Sequence, residues 1–468
     1  MSSIICVKNI TLGEKRGSPR LWLDGQMPER AGFAPGIKFS LVTDANGQRV
    51  VLRIADDGER TVSGKEKNGR QLPVIDINSA EALAVLRGYG TLRVIFLKNE
   101  IHVLPDAVEV RKRHRISRLQ GELREGRLTV GSVSHGAGIA SHAIHEGLAD
   151  AGIRSELVFA VDIDSDALEV AARNNPAWSK DTIAIGMPLQ TLALADRWTA
   201  SKLPCPSLLE AGLPCTAASV AGRSKKGLAQ AEDDGKAGHL VAAFIALIGQ
   251  LNPAAILLEN VKPYFNTASA AILRTQLKEL GYVVHEKDLE GEEYAIEARP
   301  RRVMVAVTEG IEIDLAAMVA PPRKVQSIAE ILDDVPEDDP SWSTMDYLKD
   351  KEIRDKAAGK GFAMSVVTGA DTRVGTQGRG YQKNRSTEAK LAHPSKPGYM
   401  RLFTPAEHAR IKGIPTKLID GVDSKTKAHE YLGQSVIWGK FRHLGRFIGE
   451  ALNRSFEAIL PIDAKVAA

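Results

Sequence analysis

Residues 129–138 read Thr-Val-Gly-Ser-Val-Ser-His-Gly-Ala-Gly, a short apolar run that breaks into glycines, and a helical pattern follows from about 139 to 151. A strand that passes through a glycine turn into a helix lets backbone amides and the helix N-terminus close on a polar ligand. The same grammar repeats downstream. Apolar runs at 157–161, 207–211, 254–258 and 303–307 alternate with helical stretches near 165–174, 239–250 and 268–280. Alternation of this kind predicts an α/β fold built on a Rossmann-like, doubly wound parallel sheet, with ligand bound outside the C-terminal strand ends.

Three strand ends carry chemistry. Asp162 closes the second apolar run, where a carboxylate can accept hydrogen bonds from a ribose diol. The run ending at Ala211 leads through Gly212-Leu213-Pro214 to Cys215. Small residues follow, with Lys225 and Lys226 beyond, an electropositive setting that favours thiolate. Glu259-Asn260-Val261 ends the next run, so a thiol and a carboxylate share one crevice. That pair suits covalent attack on a ring that must be protonated as it is attacked. Cys6 and Cys205 read as ordinary free cysteines. Asp162, Asp164 and Asp166 do not make a calcium loop, because the closing position is Arg173 rather than Glu. His135, His142 and His145 read as helix histidines rather than ligands, so no metal is expected.

The chain of 468 residues exceeds one ordinary domain, and 43% hydrophobic with 26% charged residues is the composition of a globular protein. Three scattered cysteines exclude a disulfide framework or thiolate zinc site. With no apolar run near 18 residues and no leader pattern, the expectation is a cytoplasmic monomer without a membrane span. The net charge is only +4, yet residues 109–127 hold seven Lys or Arg against three Glu, and 360–401 hold eight against two acids. Such patches fit a polyanion or a solvated face equally well in the first case. Boundaries are expected at 1–105 (β-rich), 106–128 (basic helical linker), 129–308 (catalytic), 309–398 (recognition region) and 399–468 (a segment returning to the catalytic domain).

The first 105 residues repeat a pattern of strand, short helix and hairpin. One copy runs from Leu21 to Ile54 with a turn at Ala45-Asn46-Gly47; the second runs from Val74 to Leu104, with a helix at 79–87. Leu21-Trp22-Leu23-Asp24-Gly25 and Ala31-Gly32-Phe33-Ala34-Pro35-Gly36 resemble the AbrB/SymE-like swapped-hairpin family, which implies two interlocked halves and DNA binding.

The larger region is similar to the DNA cytosine-5 methyltransferase family. The motifs that carry the resemblance fall in the family's order: the glycine turn at 136, Asp162, Gly212-Leu213-Pro214-Cys215, Ser219-Val220-Ala221-Gly222, Glu259-Asn260-Val261, Glu297-Ala298-Arg299-Pro300-Arg301, Arg401 to Pro415 and Gly433-Gln434-Ser435-Val436. The resemblance implies Cys215 as nucleophile on cytosine C6 and Glu259 at N3. It gives Arg299 and Arg301 the base, its phosphate or the catalytic loop, although Arg302 could exchange roles with Arg301. S-adenosylmethionine is implied as donor, held by His135, Gly136, Gly138, Asp162, Pro214, Gln434, Ser435 and Val436. Double-stranded DNA is implied as partner, contacted by Ser219, Arg223, Lys225 and Lys226 and by Arg373, Arg379, Lys383 and Arg385 of the recognition region, with the target cytosine flipped from the helix. A cognate restriction endonuclease fits that setting. Departures cluster in the donor pocket: Ser134 replaces an aromatic ring, Ile185-Gly186-Met187-Pro188 lacks an acid, and Gln434 replaces Asn. RNA cytosine-5 methylation, or a catalytically weak DNA-binding regulator on the same fold, are the alternative readings.

Overall fold

The computed structural model describes residues 3–44, 48–214, 229–235, 238–359 and 363–463, with side chains as far as Phe456. The turn expected at Ala45-Asn46-Gly47, the thiol Cys215, and Ser219, Arg223, Lys225 and Lys226 lie outside the described residues. The chain divides into two compact units, Met1–His114 and Arg115–Ala468.

The first unit contains β1 (Ile4–Thr11), β2 (Gly13–Lys15), β3 (Ser18–Asp24), α1 (Gln26–Arg30), β4 (Lys38–Asp44), β5 (Arg49–Ile54), β6 (Arg60–Thr61), β7 (Ser63–Lys67), β8 (Arg70–Ile77), β9 (Thr91–Leu97) and β10 (Glu100–Pro105). The repeat read from the sequence is present as β3-α1-β4-β5 and β8-turn-β9-β10. Equivalent strands of the two halves pair with each other, β3 against β8 and β5 against β10, both antiparallel. Neither half closes its own sheet, so each completes the other around Leu21, Phe33, Leu52, Ile75, Phe96 and Ile101. The helix expected at 79–87 is only a turn with a 3-10 segment, Ala84–Leu86. There Leu83 and Leu86, three apart, both drop into the core, which a three-residue period aligns better than an α-helix does.

Helix α2 (Ala107–Arg124) starts in the first unit and ends in the second. Its basic run is not a free phosphate-binding face. Arg115 is fully buried and donates to the carbonyls of Leu280 (3.0 Å) and Gly281 (2.6 Å), while Arg118 donates to those of Pro206 (3.2 Å) and Asn252 (2.5 Å). These carbonyls include orphan acceptors at helix C-termini, where a cation is favoured by geometry and dipole alike.

The second unit is built on β11 (Arg127–Val133), β12 (Arg154–Asp162), β13 (Ile183–Gly186), β14 (Leu208–Ala211), β15 (Ala255–Asn260), β16 (Tyr282–Leu289) and β17 (Arg301–Thr308), in the order β13-β12-β11-β14-β15-β17-β16. The first five strands are parallel, as expected. One strand departs from the expected parallel sheet: β17 runs antiparallel to β15, and β16, which the apolar pattern did not mark, pairs antiparallel with β17 and so runs with the others. A short connection between β16 and β17 permits only that direction, since a parallel crossover needs an intervening helix. Helices α3 (Ile139–Asp150), α4 (Ser165–Asn174), α5 (Arg197–Lys202), α6 (Leu240–Leu251) and α7 (Ala268–Glu279) accompany the sheet. One core cluster includes Val133, Phe159, Leu209, Phe244 and Ile256, another Val130, Ile144, Leu257, Val305 and Phe441.

Between 309 and 404 the chain forms α8 (Asp346–Ala357) and a small sheet of β18 (Val366–Val367), β19 (Lys390–Ala392) and β20 (Met400–Arg401). Its core joins Ile328, Tyr381, Leu391 and Phe403 to Ile296 and Ile411. Helices α9 (Pro405–Arg410), α10 (Lys425–Gln434) and α11 (Trp438–Asp463) follow. Helix α11 lies along α3, fixed by Trp438 Nε1 donating to His142 Nδ1 (2.9 Å) and by the Arg442–Asp150 pair (2.7 Å). The C-terminal segment thereby returns beside the first strand of the sheet.

Candidate functional site

The parallel strands β11, β12, β14 and β15 end side by side, and the turn after β11 is built on left-handed backbone. Ser134, Gly136 and Gly138 all have left-handed backbone (φ 55°, 55° and 74°). A side chain on Gly138 would lie 2.7 Å from His135 Nε2 and 2.9 Å from Asn175 Nδ2, so only glycine fits this start of α3. Asp162 ends β12 and ties the turn down, its Oδ2 accepting from Gly136 N (2.7 Å) and its Oδ1 from Asp164 N (2.9 Å). A carboxylate oxygen has two lone pairs, so each retains one for a ligand hydroxyl. Beside it Ile163 is 73% exposed, an apolar platform that the sequence reading missed although an isoleucine directly after the strand-end acid was the available signal.

His135 does not face that crevice. It is buried, its Nδ1 is 2.7 Å from Ser132 Oγ, and its Nε2 accepts from Trp178 Nε1 at 3.2 Å. Burial pushes its pKa down to about 3, so the ring is neutral. The side chain expected to hold the donor instead braces the turn from beneath. At the other edge Gln434 is exposed at the end of α10, whereas Ser435 turns its hydroxyl back to Leu432 O (2.6 Å) and Val436 packs into the core. Of this trio, only Gln434 presents an exposed side chain.

Opposite that turn, Gly212 N donates to Val133 O (3.2 Å) and Leu213 O accepts from Asn260 Nδ2 (3.1 Å). These bonds fix the approach to Pro214, the last described residue before Cys215. Glu259 points into the same gap. A Cβ added to Gly212 would be 3.9 Å from Glu259 Oε2, while Oε1 is held by Arg301 Nε at 2.7 Å. Both side chains of this ion pair are largely buried, 17% and 11% exposed.

Alternation along β17 sends its two arginines to opposite faces. Arg301 faces Glu259; Arg302 faces the other side and pairs with Asp288 (2.5 Å). Arg299, expected against the base, its phosphate or the catalytic loop, is 3% exposed and held by protein through both terminal nitrogens. It donates to Glu297 Oε1 (3.1 Å), Gln377 O (3.1 Å) and Gly433 O (2.7 Å). At Gly433 a side chain would lie 2.3 Å from Gly378 O, so the segment around Gly378 touches the end of α10 backbone to backbone, with Arg299 clamping the crossing. Lys440 on α11 stands behind this shell, fully buried and donating to Arg299 O (2.9 Å) and Leu289 O (3.1 Å). Burial lowers its pKa to about 7, and two carbonyl acceptors match the two N–H groups of a neutral amine. Nothing in the local sequence marked it.

The cations expected to contact DNA between 309 and 398 lie on the surface. Arg373, Arg379 and Arg385 are 67%, 60% and 52% exposed in side chain, and their pairs with Glu292 (2.5 Å), Glu430 (3.7 Å) and Glu388 (3.9 Å) are exposed or long. Such pairs are worth little in water and exchange readily for phosphate. Lys383 is exposed as well. Among the described residues no group of three His, Cys, Asp or Glu could hold a metal, and no helix is long and apolar enough to cross a membrane.

A glycine turn after the first strand, an acid after the second and an antiparallel strand inserted at the far edge define the S-adenosylmethionine-dependent methyltransferase fold. The chain belongs to the C-5 cytosine-specific DNA methylase family, whose profile matches residues 132–450. It is 27% identical over 250 residues to the Type II methyltransferase M.DsaV of Dactylococcopsis salina, covering 51% of this chain and 67% of that protein. It is 24% identical over 271 residues to the Type II methyltransferase M.HhaI of Haemophilus parahaemolyticus, covering 54% and 78%. In fold it is similar to the Dnmt2 methyltransferase of S. pombe, with a TM-score of 0.54 at 18% identity over 70% of this chain and 99% of that one.

Proposed function

We propose that the protein transfers a methyl group from S-adenosylmethionine to C5 of a cytosine flipped out of duplex DNA. The observation that carries the reading is Glu259, fixed by Arg301 and turned toward the strand end that leads to Cys215. The donor fits the residues present: an open glycine turn, a half-buried Asp162 with lone pairs to spare, exposed Ile163 and exposed Gln434. When bound, it supplies an electrophilic methyl on a sulfonium.

The protein's own groups divide the remaining work. Cys215 thiolate forms a bond to C6, and the C5–C6 pair becomes available at C5 as Glu259 delivers a proton to N3. After C5 gains its methyl, loss of the C5 proton to water, departure of the sulfur and return of the N3 proton to Glu259 restore the ring, the thiolate and the carboxyl. Arg301 holds the Glu259 carboxyl in place through these changes. Arg299 acts as a positioning residue, joining the recognition region to the donor edge. Arg373, Arg379, Lys383 and Arg385, with Ser219, Arg223, Lys225 and Lys226, provide phosphate and base-edge contacts. The Type II names of the relatives support a role beside a restriction endonuclease, and the paired halves of the first unit support DNA binding there.

The test is transfer of tritium from labelled S-adenosylmethionine into duplex DNA or transfer RNA by wild type and Cys215→Ala. Label in DNA with wild type alone is the expected result. Label confined to RNA, or none across a pool of random duplexes, would overturn the reading.

A further inference from the structure

One buried acid has no part in the chemistry above. Glu210 sits in the middle of β14, 5% exposed, and neither carboxyl oxygen meets a hydrogen-bond partner among the described residues. Its register neighbours are Ser132 on β11 and Leu257 on β15. The hydroxyls of Ser132 and of Ser141, in the first turn of α3, flank the carboxyl. Glu210 therefore lies directly behind the turn at 134–138, enclosed by the strand that enters the turn and the helix that leaves it.

The hydrogen bonds of that turn have one direction. An indole N–H only donates, so Trp178 fixes a lone pair on His135 Nε2 (3.2 Å). The neutral ring then carries its proton on Nδ1 and gives it to Ser132 Oγ (2.7 Å). Ser132 keeps its own proton, and the Glu210 carboxyl lies beside it. The neighbouring hydroxyls of Ser132 and Ser141 favour the ionised form, as does the positive end of α3. Burial opposes this and raises the Glu210 pKa to about 7. Around it, burial lowers His135 to about 3 and His145 to about 4 and lowers His142 as well, Leu257 is apolar, and Asp162 accepts from Gly136 N and Asp164 N.

We propose that Glu210 is a specificity-determining charge behind the donor turn, which favours a sulfonium donor over its uncharged thioether product. The inference rests on the donor reading above. Ionised Glu210 attracts the cation; protonated Glu210 does not, and the thioether is indifferent to either. By linkage, donor binding expels a proton from Glu210 near neutral pH, and product binding does not. A unit charge on the order of 10 Å away, at an effective dielectric near 20, changes an affinity roughly tenfold.

Calorimetry on the full chain tests this with S-adenosylmethionine and S-adenosylhomocysteine at pH 6, 7 and 8.5, in buffers of different ionisation enthalpy. In wild type, donor affinity should rise roughly tenfold more than product affinity from pH 6 to 8.5, with proton release on donor binding alone. The amino group common to both ligands cancels. Glu210→Gln should remove both effects. Parallel pH profiles for donor and product in wild type, or a difference retained in Glu210→Gln, would overturn the inference alone. If the Gln variant does not fold, the wild-type proton release still decides. Failure of wild type to bind either ligand would overturn the donor reading, and this inference with it.

Discussion

Arg299 offers a clean separation between holding the site and touching the substrate. Arg299→Ala removes a guanidinium that spans Glu297, Gln377 O and Gly433 O, and leaves Glu297, 0% exposed, with Lys412 Nζ at 3.5 Å as its remaining cation. Burial pushes the Lys412 amine far below its usual range, so it is a poor substitute. Breaking a buried pair from one side costs about 3–5 kcal/mol. Two carbonyls without donors add about 1–3 kcal/mol each before relaxation, and the contributions overlap. The sum approaches the whole stability of a domain, about 5–15 kcal/mol. The conservative Arg299→Lys is therefore the useful variant: it keeps the charge, loses the fork, and should cost about 2–3 kcal/mol. Urea unfolding followed by tryptophan fluorescence should show the lowered midpoint. Calorimetry should show donor affinity reduced several-fold, because Gly433 precedes Gln434 at the donor edge. An unchanged midpoint and unchanged donor affinity with abolished methyl transfer would refute this, and would return Arg299 to the base.

Three further outcomes follow from the geometry. Glu259→Gln keeps shape but cannot deliver the N3 proton, so transfer should fall by at least about 10²-fold with donor binding intact, measured as single-turnover label incorporation. Gly433→Ala drives a methyl to 2.3 Å from Gly378 O and 2.6 Å from Arg379 N, backbone atoms that cannot step aside, and should cost roughly 3 kcal/mol in chemical unfolding. Lys440 has its pKa lowered to about 7, so between about pH 7 and 10.5 the unfolded amine binds a proton that the folded one does not. Stability therefore rises with pH in that window, and wild type should gain roughly 2 kcal/mol on Lys440→Met from pH 7 to pH 9 in parallel unfolding titrations.

What the sequence revealed follows physical lines. The glycine turn, Asp162, the approach to Cys215 and Glu259 were legible because parallel buried strands read as continuous apolar runs that stop where ligands bind. Strand β16 was not, because Tyr282–Leu289 is a half-polar edge whose burial alternates weakly, and nothing in it encodes direction. The guanidiniums of Arg115 and Arg118 read equally as a solvated run or a phosphate-binding face, since the carbonyls that take them lie more than eighty residues away in sequence. The inward turn of His135 is hidden from the sequence for the same reason, since its partner Trp178 lies 43 residues away. Conversely, Arg301 and Arg302 could not be told apart from spacing, yet the pleat of β17 separates them at once.

Covalent capture tests the central claim most directly. Duplex DNA carrying 5-fluorocytosine blocks loss of the C5 substituent, so an enzyme that adds sulfur to C6 is trapped after methyl transfer. With S-adenosylmethionine and a random-sequence 5-fluorocytosine pool, wild type should form a denaturation-resistant DNA adduct whose tryptic peptide carries the modification at Cys215, and Cys215→Ala should form none. No adduct with wild type, or an equal adduct with the alanine variant, would contradict the account.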